Sequence, residues 1–204
     1  MEINKFIMDI SGLSCVQRFS QSHMAKPENV LEHSGFASLL SLFIGRSLIE
    51  GGADIDLGVL LSKALLHDFD EVITGDIAMP IKYHSEKLRT EIALLESEKM
   101  MELSGKYSIS EFLFSTWDSS KIGIEGAIVS LVDTICALYK FHNEIVLRSN
   151  KTMLRIYDEK IIKSIEEKIE YLMINLDTCF DFLSGVSDSC KYLSSKIMEH
   201  KDEN

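Results

Sequence analysis

Proline is almost missing from this sequence, two residues in 204, and no stretch sustains the alternation of apolar and polar residues that marks a half-buried strand. Together these shortages exclude a strand-built fold and leave helical periodicity, broken by short polar segments, as the dominant pattern. The four cysteines, Cys15, Cys136, Cys179 and Cys190, show no CxxC spacing, which points to buried or reduced thiols. No segment reaches the roughly 18 apolar residues of a membrane span. The opening MEINKFIMDISG lacks the basic lead and long apolar run of a signal peptide. A cytoplasmic protein without a membrane partner is the expectation. Positive charge is scarce as well, 21 Lys and Arg against 32 Asp and Glu, for a net charge of -11. That balance argues against gripping a nucleic acid polymer, whose phosphates call for clustered Lys and Arg. A small anionic substrate is compatible with it, provided that a metal and a few basic side chains gather positive charge locally.

With 46% hydrophobic and 26% charged residues, the chain can bury one large core. The expected fold class is all-α, a single-domain helical bundle over residues 1–198 with a frayed tail at 199–204. A first helix is expected over about residues 2–13, followed by the irregular segment CVQRFSQSHMAK. Pro27 suits a first helical position and opens a long helix that Gly51 and Gly52 stop. Asp54 or Asp56 can cap the next helix, which carries LGVLLSKALLHDFD. Further helices are expected near residues 84–104, 110–118, 124–148, 157–174 and 176–198. No repeat, low-complexity tract or linker divides the chain.

Chemistry concentrates in residues 65–76, LLHDFDEVITGD. His67 and four carboxylates, Asp68, Asp70, Glu71 and Asp76, fall within ten residues and repel one another unless a cation sits among them. His67 and Asp68 point about 100° apart on a regular helix, so they can approach one ion only near a helix end. His33 shares a helical face with Val30, Ala37 and Leu40, which turns its imidazole inward; alone, such a histidine is more often a hydrogen-bonded core residue than a ligand. Asp133 interrupts AIVSLVDTICALY, where an unpaired ionised carboxylate costs many kcal/mol. Pairing with Lys140, Arg148 or a backbone donor would satisfy it, and so would a metal. His33, the His67-Asp68 pair and Asp133 come from three separate helices, and a bundle core can gather such residues around an ion. Two imidazoles and two carboxylates suit manganese, iron, cobalt, nickel or zinc, with room for water and a substrate oxygen. The expected cofactor is therefore a divalent cation from this set or magnesium.

Taken in order, these residues resemble the HD-domain metal-dependent phosphohydrolases. More narrowly, Arg18-Phe19, the run PENVLEHS at 27–34, HDFDEVITGD from His67 and Pro80-Ile81-Lys82-Tyr83 resemble the bacterial 5'-deoxynucleotidases of that superfamily, over about residues 15–145. The resemblance implies an HD-type bundle, a homodimer, and removal of the 5'-phosphate from 2'-deoxyribonucleoside 5'-monophosphates. It implies His33, His67, Asp68 and Asp133 as metal ligands, Arg18 as the holder of the substrate phosphate, and Glu71 with Asp76 as the pair that handles the water and its proton. Phe19 stands where the family has an aromatic residue beside the substrate, Trp in one relative, so a smaller ring bears on nucleotide preference. Lys82 and His23 are further phosphate candidates.

The physical properties of these residues agree with those roles. Arg18 offers a planar fork that matches two phosphate oxygens and resists deprotonation. Glu71, four residues after His67, shares its face if the helix continues, and can orient the attacking water or protonate the leaving 5'-oxygen; Asp70 is its nearest competitor. Asp76 can hold Glu71's proton or position, since two close carboxylates push their pKa values apart. Plainer roles also exist: Arg18 as a counter-ion of the acidic cluster, Phe19 as core, Glu71 as a helix-face charge and Asp76 as a turn residue after Gly75. His84, His142 and His200 are expected on solvated faces. Two other functions would use the same residues. One is a deoxynucleoside triphosphate triphosphohydrolase releasing tripolyphosphate, with extra basic contacts from Lys82, Lys121 and Lys140. The other is a catalytically silent nucleotide-binding protein.

Overall fold

The computed structural model describes residues 1–82 and 84–202; Tyr83 and the last two residues of the expected tail lie outside the described residues. Among the described residues the secondary structure is eleven helices: α1 (Glu2–Leu13), α2 (Val30–Glu50), α3 (Leu57–Leu66), α4 (Glu71–Thr74), α5 (Met79–Lys82), α6 (Glu86–Ser104), α7 (Ser110–Asp118), α8 (Gly123–Ile145), α9 (Lys151–Ile156), α10 (Lys160–Leu176) and α11 (Phe180–Asp202). The all-α expectation holds. Single helices long and apolar enough to cross a membrane are absent from the described residues.

Local chemistry explains where the long helices begin. The Asn29 side chain accepts from Glu32 N at 2.9 Å while Glu32 accepts from Asn29 N at 3.2 Å, a reciprocal capping box that starts α2 at Val30. Pro27 therefore precedes the helix by three residues instead of opening it. Asp56, and not Asp54, caps α3 by accepting from Val59 N at 3.0 Å. The turns α4 and α5 and the short α9 escape the periodicity because each is at most six residues long. At the other end α11 runs on to Asp202, past the expected boundary at 198.

Helices α2, α3, α8, α10 and α11 pack around a main core that includes Ile44, Leu48, Leu60, Leu131, Leu138 and Ile145, each no more than 1% exposed. Gly45 lets α2 and α3 approach: a β-carbon there would lie 2.5 Å from Leu60 Cδ2. A second cluster, with Leu13, Val30, Phe69, Met100, Leu103, Tyr107 and Leu113, sits under α1, α6 and α7. Ala64 belongs to the first core and Phe69 to the second, so residues 64–69 are pinned from both sides. Cys136 and Cys190 are buried and Cys15 is exposed; all four cysteines are free thiols. His142 is half-buried, with Nδ1 enclosed and lacking a hydrogen-bond partner among the described residues, contrary to the solvated position expected for it.

One loop carries Arg18 back toward α2. Residues 17 and 29 form an antiparallel bridge, Arg18 N donates to Glu28 O at 2.9 Å and Val30 N to Val16 O at 3.0 Å. The far side of the loop hangs on Glu144, whose fully buried carboxylate accepts from Ala25 N (2.7 Å), Lys26 N (3.0 Å) and Asn150 Nδ2 (2.8 Å). Burial opposes ionisation of Glu144, but the Asn150 and backbone donors overcome it and hold its pKa below the usual range. Its stabilising effect is present above that range and lost as pH falls through the depressed pKa. Replacing Glu144 by Ala leaves these donors unpaired and is expected to cost about 3 kcal/mol in urea unfolding at neutral pH. The gap between variant and wild type should narrow at acid pH.

Candidate metal centre

The helix that delivers His67 ends where the chemistry starts. α3 stops at Leu66 with His67 as its C-cap, and residues 67–70 turn before α4 begins at Glu71. Glu71 thus does not follow His67 along one continuous helix face. Ending the helix leaves the Ala64 carbonyl without its usual backbone donor, and His67 Nδ1 donates to it at 2.8 Å. A carbonyl can only accept, so Nδ1 carries the proton and neutral His67 presents a lone pair at Nε2.

Two of the expected residues, His33 and Asp68, converge on that lone pair, and Asp133 lies beside His33. His33 Nε2 lies 3.1 Å from His67 Nε2. Asp68 Oδ2 is 3.1 Å from His67 Nε2 and 3.4 Å from His33 Nε2, and Asp133 Oδ1 is also 3.4 Å from His33 Nε2. His33, His67 and Asp68 each offer a ligand atom within 4.8 Å of the others. The two imidazole side chains are fully buried, whereas Asp68 and Asp133 retain 16% and 25% exposure. That is a nitrogen and oxygen donor set suited to a borderline divalent ion.

The field of the site favours positive charge. Burial resists charging both imidazoles; in His33 it prevails and lowers the pKa, while in His67 the attraction and hydrogen bond of Asp68 override it and raise the pKa. Burial likewise resists ionising Asp68 and Asp133, yet His67 holds Asp68 well below the carboxylate range, and Lys121, His33, His67 and Arg18 do the same for Asp133. Arg18 places its guanidinium 3.6 Å from both Asp133 and Glu28. Lys121 Nζ reaches the other oxygen of Asp133 at 3.1 Å. Asp133 is thus paired with Arg18 and Lys121, and not with the Lys140 or Arg148 that its sequence neighbourhood offered.

Glu71 stands apart from this set. Its carboxyl is pushed up to about 9 by burial first, then by repulsion from Asp68, Asp76 and Asp70, with Arg18 opposing. Its Oε2 is enclosed without a hydrogen-bond partner among the described residues. Asp76 Oδ2 accepts from Phe19 N at 3.0 Å and holds Phe19 at a left-handed φ of 54°, a conformation uncommon for a side chain of that size. The Phe19 ring packs edge-on against Phe141 at 5.7 Å and lies 5.8 Å from the Arg18 guanidinium. Asp70 is taken by Trp117, whose indole donates to it at 2.7 Å. Lys82 Nζ is bound to Glu96 at 2.8 Å, so a phosphate-binding role would require it to leave that carboxylate. His23 offers its backbone carbonyl to Asn150.

Sequence reasoning passed over Glu28, which lies 3.9 Å from His33 Nδ1, 3.6 Å from Arg18 and 3.6 Å from Lys140. It sits inside PENVLEHS as an ordinary polar residue in the first turn of the expected helix, without an apolar neighbourhood to single it out.

A family model described as 5'-deoxynucleotidase YfbR-like matches residues 5–184. The chain belongs to that family. Among its relatives is a 5'-deoxynucleotidase of Yersinia pestis (strain Pestoides F), 29% identical over 155 residues, spanning 73% of this chain and 78% of the relative. A 5'-deoxynucleotidase of Yersinia pseudotuberculosis serotype O:3 (strain YPIII) gives the same figures: 29% identity over 155 residues, with 73% and 78% covered. Among solved structures, an HD-domain phosphohydrolase from Listeria innocua superposes with TM-score 0.71 at 20% identity, covering 92% of this chain and 98% of its own. The cyanophage S-2L HD phosphohydrolase, bound to dA and one catalytic zinc ion, superposes with TM-score 0.52 at 17% identity, covering 94% and 96%. The YfbR-like chain therefore has the HD-type bundle.

Within this YfbR-like site, Asp70 supplies a pH test. Burial, with repulsion from Glu96 and Asp68, pushes its carboxyl up to about 6 against the opposing Trp117 hydrogen bond. A raised folded pKa means that the stability Asp70 contributes is present below about 4 and lost as pH rises through about 6. Asp70→Asn keeps an acceptor for Trp117 without the charge. In chelator-treated protein it should be more stable than wild type by on the order of 2 kcal/mol at pH 8, with the difference closing by pH 4 in thermal melts.

Proposed function

We propose that this protein removes the 5'-phosphate from 2'-deoxyribonucleoside 5'-monophosphates with the help of a divalent metal. The observation that carries the reading is the convergence of His33, His67 and Asp68 within 4.8 Å, with Asp133 beside them and Arg18 at 3.6 Å from Asp133, in a chain of the YfbR-like family. We assign His33, His67, Asp68 and Asp133 as the residues that would hold the ion. The ion when bound supplies a polarised phosphate oxygen and a nucleophilic water at neutral pH. Nothing in the donor set selects one metal, so its identity follows from metal analysis of the purified protein.

Arg18 would grip the phosphate through paired N–H groups. Water adds to phosphorus, the bond from phosphorus to the 5'-oxygen breaks, Glu71 delivers its proton to that oxygen, and the Glu71 carboxylate takes back the proton that the added water gives up, leaving a deoxynucleoside and inorganic phosphate. The raised pKa of about 9 favours the proton donor over the water-orienting role, since a carboxyl kept protonated is an acid in waiting. Asp76 acts through its charge on Glu71 and its hold on the Phe19 peptide, which sets where Arg18 emerges. Phe19 supplies a flat apolar wall beside the guanidinium, suited to the sugar or base.

A triphosphate reading has less support. Of the three lysines it would recruit, Lys82 is bound to Glu96, and Lys140 is buried among Lys26 O, Glu28 and Glu144. We also propose a homodimer and a cytoplasmic enzyme acting on the free nucleotide pool. Phe36, Leu39 and Phe43 lie on one face of α2 at 45%, 69% and 61% exposure, an apolar stripe of the kind that a second subunit covers. Sedimentation of the purified protein tests it.

Incubation with dAMP should release inorganic phosphate, and incubation with dATP should release no tripolyphosphate; tripolyphosphate would instead favour the triphosphohydrolase. Chelation should abolish turnover and added divalent metal restore it. Asp68→Ala and Asp133→Ala should lose bound metal by elemental analysis. Glu71→Gln should keep the metal and lose roughly 100-fold or more in kcat. Equal metal loss in all three variants would contradict the separation of ligands from proton donor.

A further inference from the structure

The two imidazoles of the metal centre are held unequally at the nitrogen that turns away from it. His67 Nδ1 donates to Ala64 O at 2.8 Å, which fixes its ring. His33 Nδ1 is enclosed and lacks a hydrogen-bond partner among the described residues, on a side chain without solvent exposure. The preceding turn of α2 supplies no acceptor for it, since Asn29 O takes the His33 backbone N–H at 3.0 Å. A buried polar nitrogen left in this way calls for a partner.

Glu28 is the acidic group that faces it. Its Oε1 lies 3.9 Å from His33 Nδ1, and a side-chain movement of about 1 Å brings the pair to hydrogen-bond distance. The Glu28 backbone is fixed on both sides: its carbonyl accepts from Arg18 N at 2.9 Å, residues 17 and 29 form the bridge next to it, and Asn29 is the cap of α2. Cations fence the carboxylate as well, with Arg18 Nη1 3.6 Å from Oε1 and Lys140 Nζ 3.6 Å from Oε2.

An ionised carboxylate can only accept. A lone pair on His33 Nδ1 would face it with repulsion, so the proton of neutral His33 belongs on Nδ1. The lone pair is then on Nε2, the atom 3.1 Å from His67 Nε2 and 3.4 Å from both Asp68 Oδ2 and Asp133 Oδ1. Glu28 thereby favours the tautomer that aims a donor atom at the point where a cation would sit.

We infer that Glu28 is a positioning residue of the metal centre: its carboxylate accepts from His33 Nδ1 and fixes His33 as an Nε2 ligand, the part that Ala64 O plays for His67. The inference rests on His33 being a metal ligand, as in the proposed function, and adds a residue outside the four donors. An outer acceptor of this kind orients the ring and raises its basicity, and its loss weakens metal binding by roughly 10- to 100-fold. A role confined to the fold makes a different demand, because any residue that anchors the loop would then matter equally to the metal. Glu144 holds the far side of that loop through Ala25 N and Lys26 N and provides the comparison.

Zinc affinity is measured on chelator-stripped, full-length protein by competition with a chromogenic chelator. It should fall roughly 100-fold in Glu28→Ala and roughly 10-fold in Glu28→Gln, which keeps a neutral acceptor of the same length. Glu144→Gln should bind zinc as wild type does. Should Glu28→Ala fail to fold by circular dichroism, Glu28→Gln carries the comparison. In cobalt-loaded wild type, proton NMR should show an exchangeable, paramagnetically shifted N–H signal from each of His33 and His67. Glu28→Gln should displace one signal and leave the other, since His67 keeps Ala64 O. Unchanged zinc affinity in the Glu28 variants, an equal loss in Glu144→Gln, or both N–H signals unmoved would each overturn the inference while metal-dependent hydrolysis of dAMP by wild type still upholds the function. A wild type that binds no divalent metal overturns both.

Discussion

Two imidazole nitrogens facing each other at 3.1 Å, with carboxylate oxygens on both sides, form the constraint around which the chain is arranged. Two neutral imidazoles in that position cannot both present lone pairs without repulsion, and two imidazoliums would repel more strongly in a buried site. A shared positive charge resolves the conflict: a proton on His67 can serve in part, and a divalent ion serves better because it attracts both nitrogens and the neighbouring carboxylates together. Metal and proton then compete for the same lone pairs, so occupancy falls with acid. The end of α3 contributes directly, because the carbonyl released by terminating the helix fixes which nitrogen of His67 faces inward.

Charge alternates outward from this centre. Asp133 meets Arg18, Arg18 meets Glu28, Glu28 meets Lys140, and Lys140 meets the fully buried Glu144. Each member is partly satisfied by groups on both sides, so removing one strands its neighbours in a poorly solvated interior. The same chain of contacts ties the loop bearing Arg18 to the C-terminal half of α8, while Asp133 sits near the middle of that helix. The proposed substrate grip and metal cradle are thus referenced to a single rigid element, which keeps their separation constant.

What could be learned from residues alone follows the range of the interactions involved. The eight longer helices, the inward turn of His33 and the anomaly of Asp133 arise from local periodicity, and the structure keeps all of them. The start of α2 also left a local trace, Asn29 with Glu32, but Pro27 was the louder signal and concealed it. Glu28, Trp117 and Glu144 act through partners 47 to 119 positions away, and a sequence pattern with a period of 3.6 carries no trace of such pairings. Lys82 shows the same range of interaction from the other side: a basic residue in a recognised motif pairs with Glu96, which lies on the next long helix.

The break after Leu66 also decides what Glu71 can be. On a continuous helix Glu71 would stack one turn beyond His67 and project from the same face, close enough to the ion for its carboxylate to become another ligand. Ionised and bound, it could no longer donate a proton. The turn through residues 67–70 instead starts a new helix at Glu71 and leaves its carboxyl buried among Asp68, Asp70 and Asp76, each of which resists a further negative charge. A single interruption in one helix thus turns His67 Nε2 and Asp68 toward the same point, and in the proposed mechanism it withholds Glu71 from the metal so that it keeps its proton for the leaving oxygen.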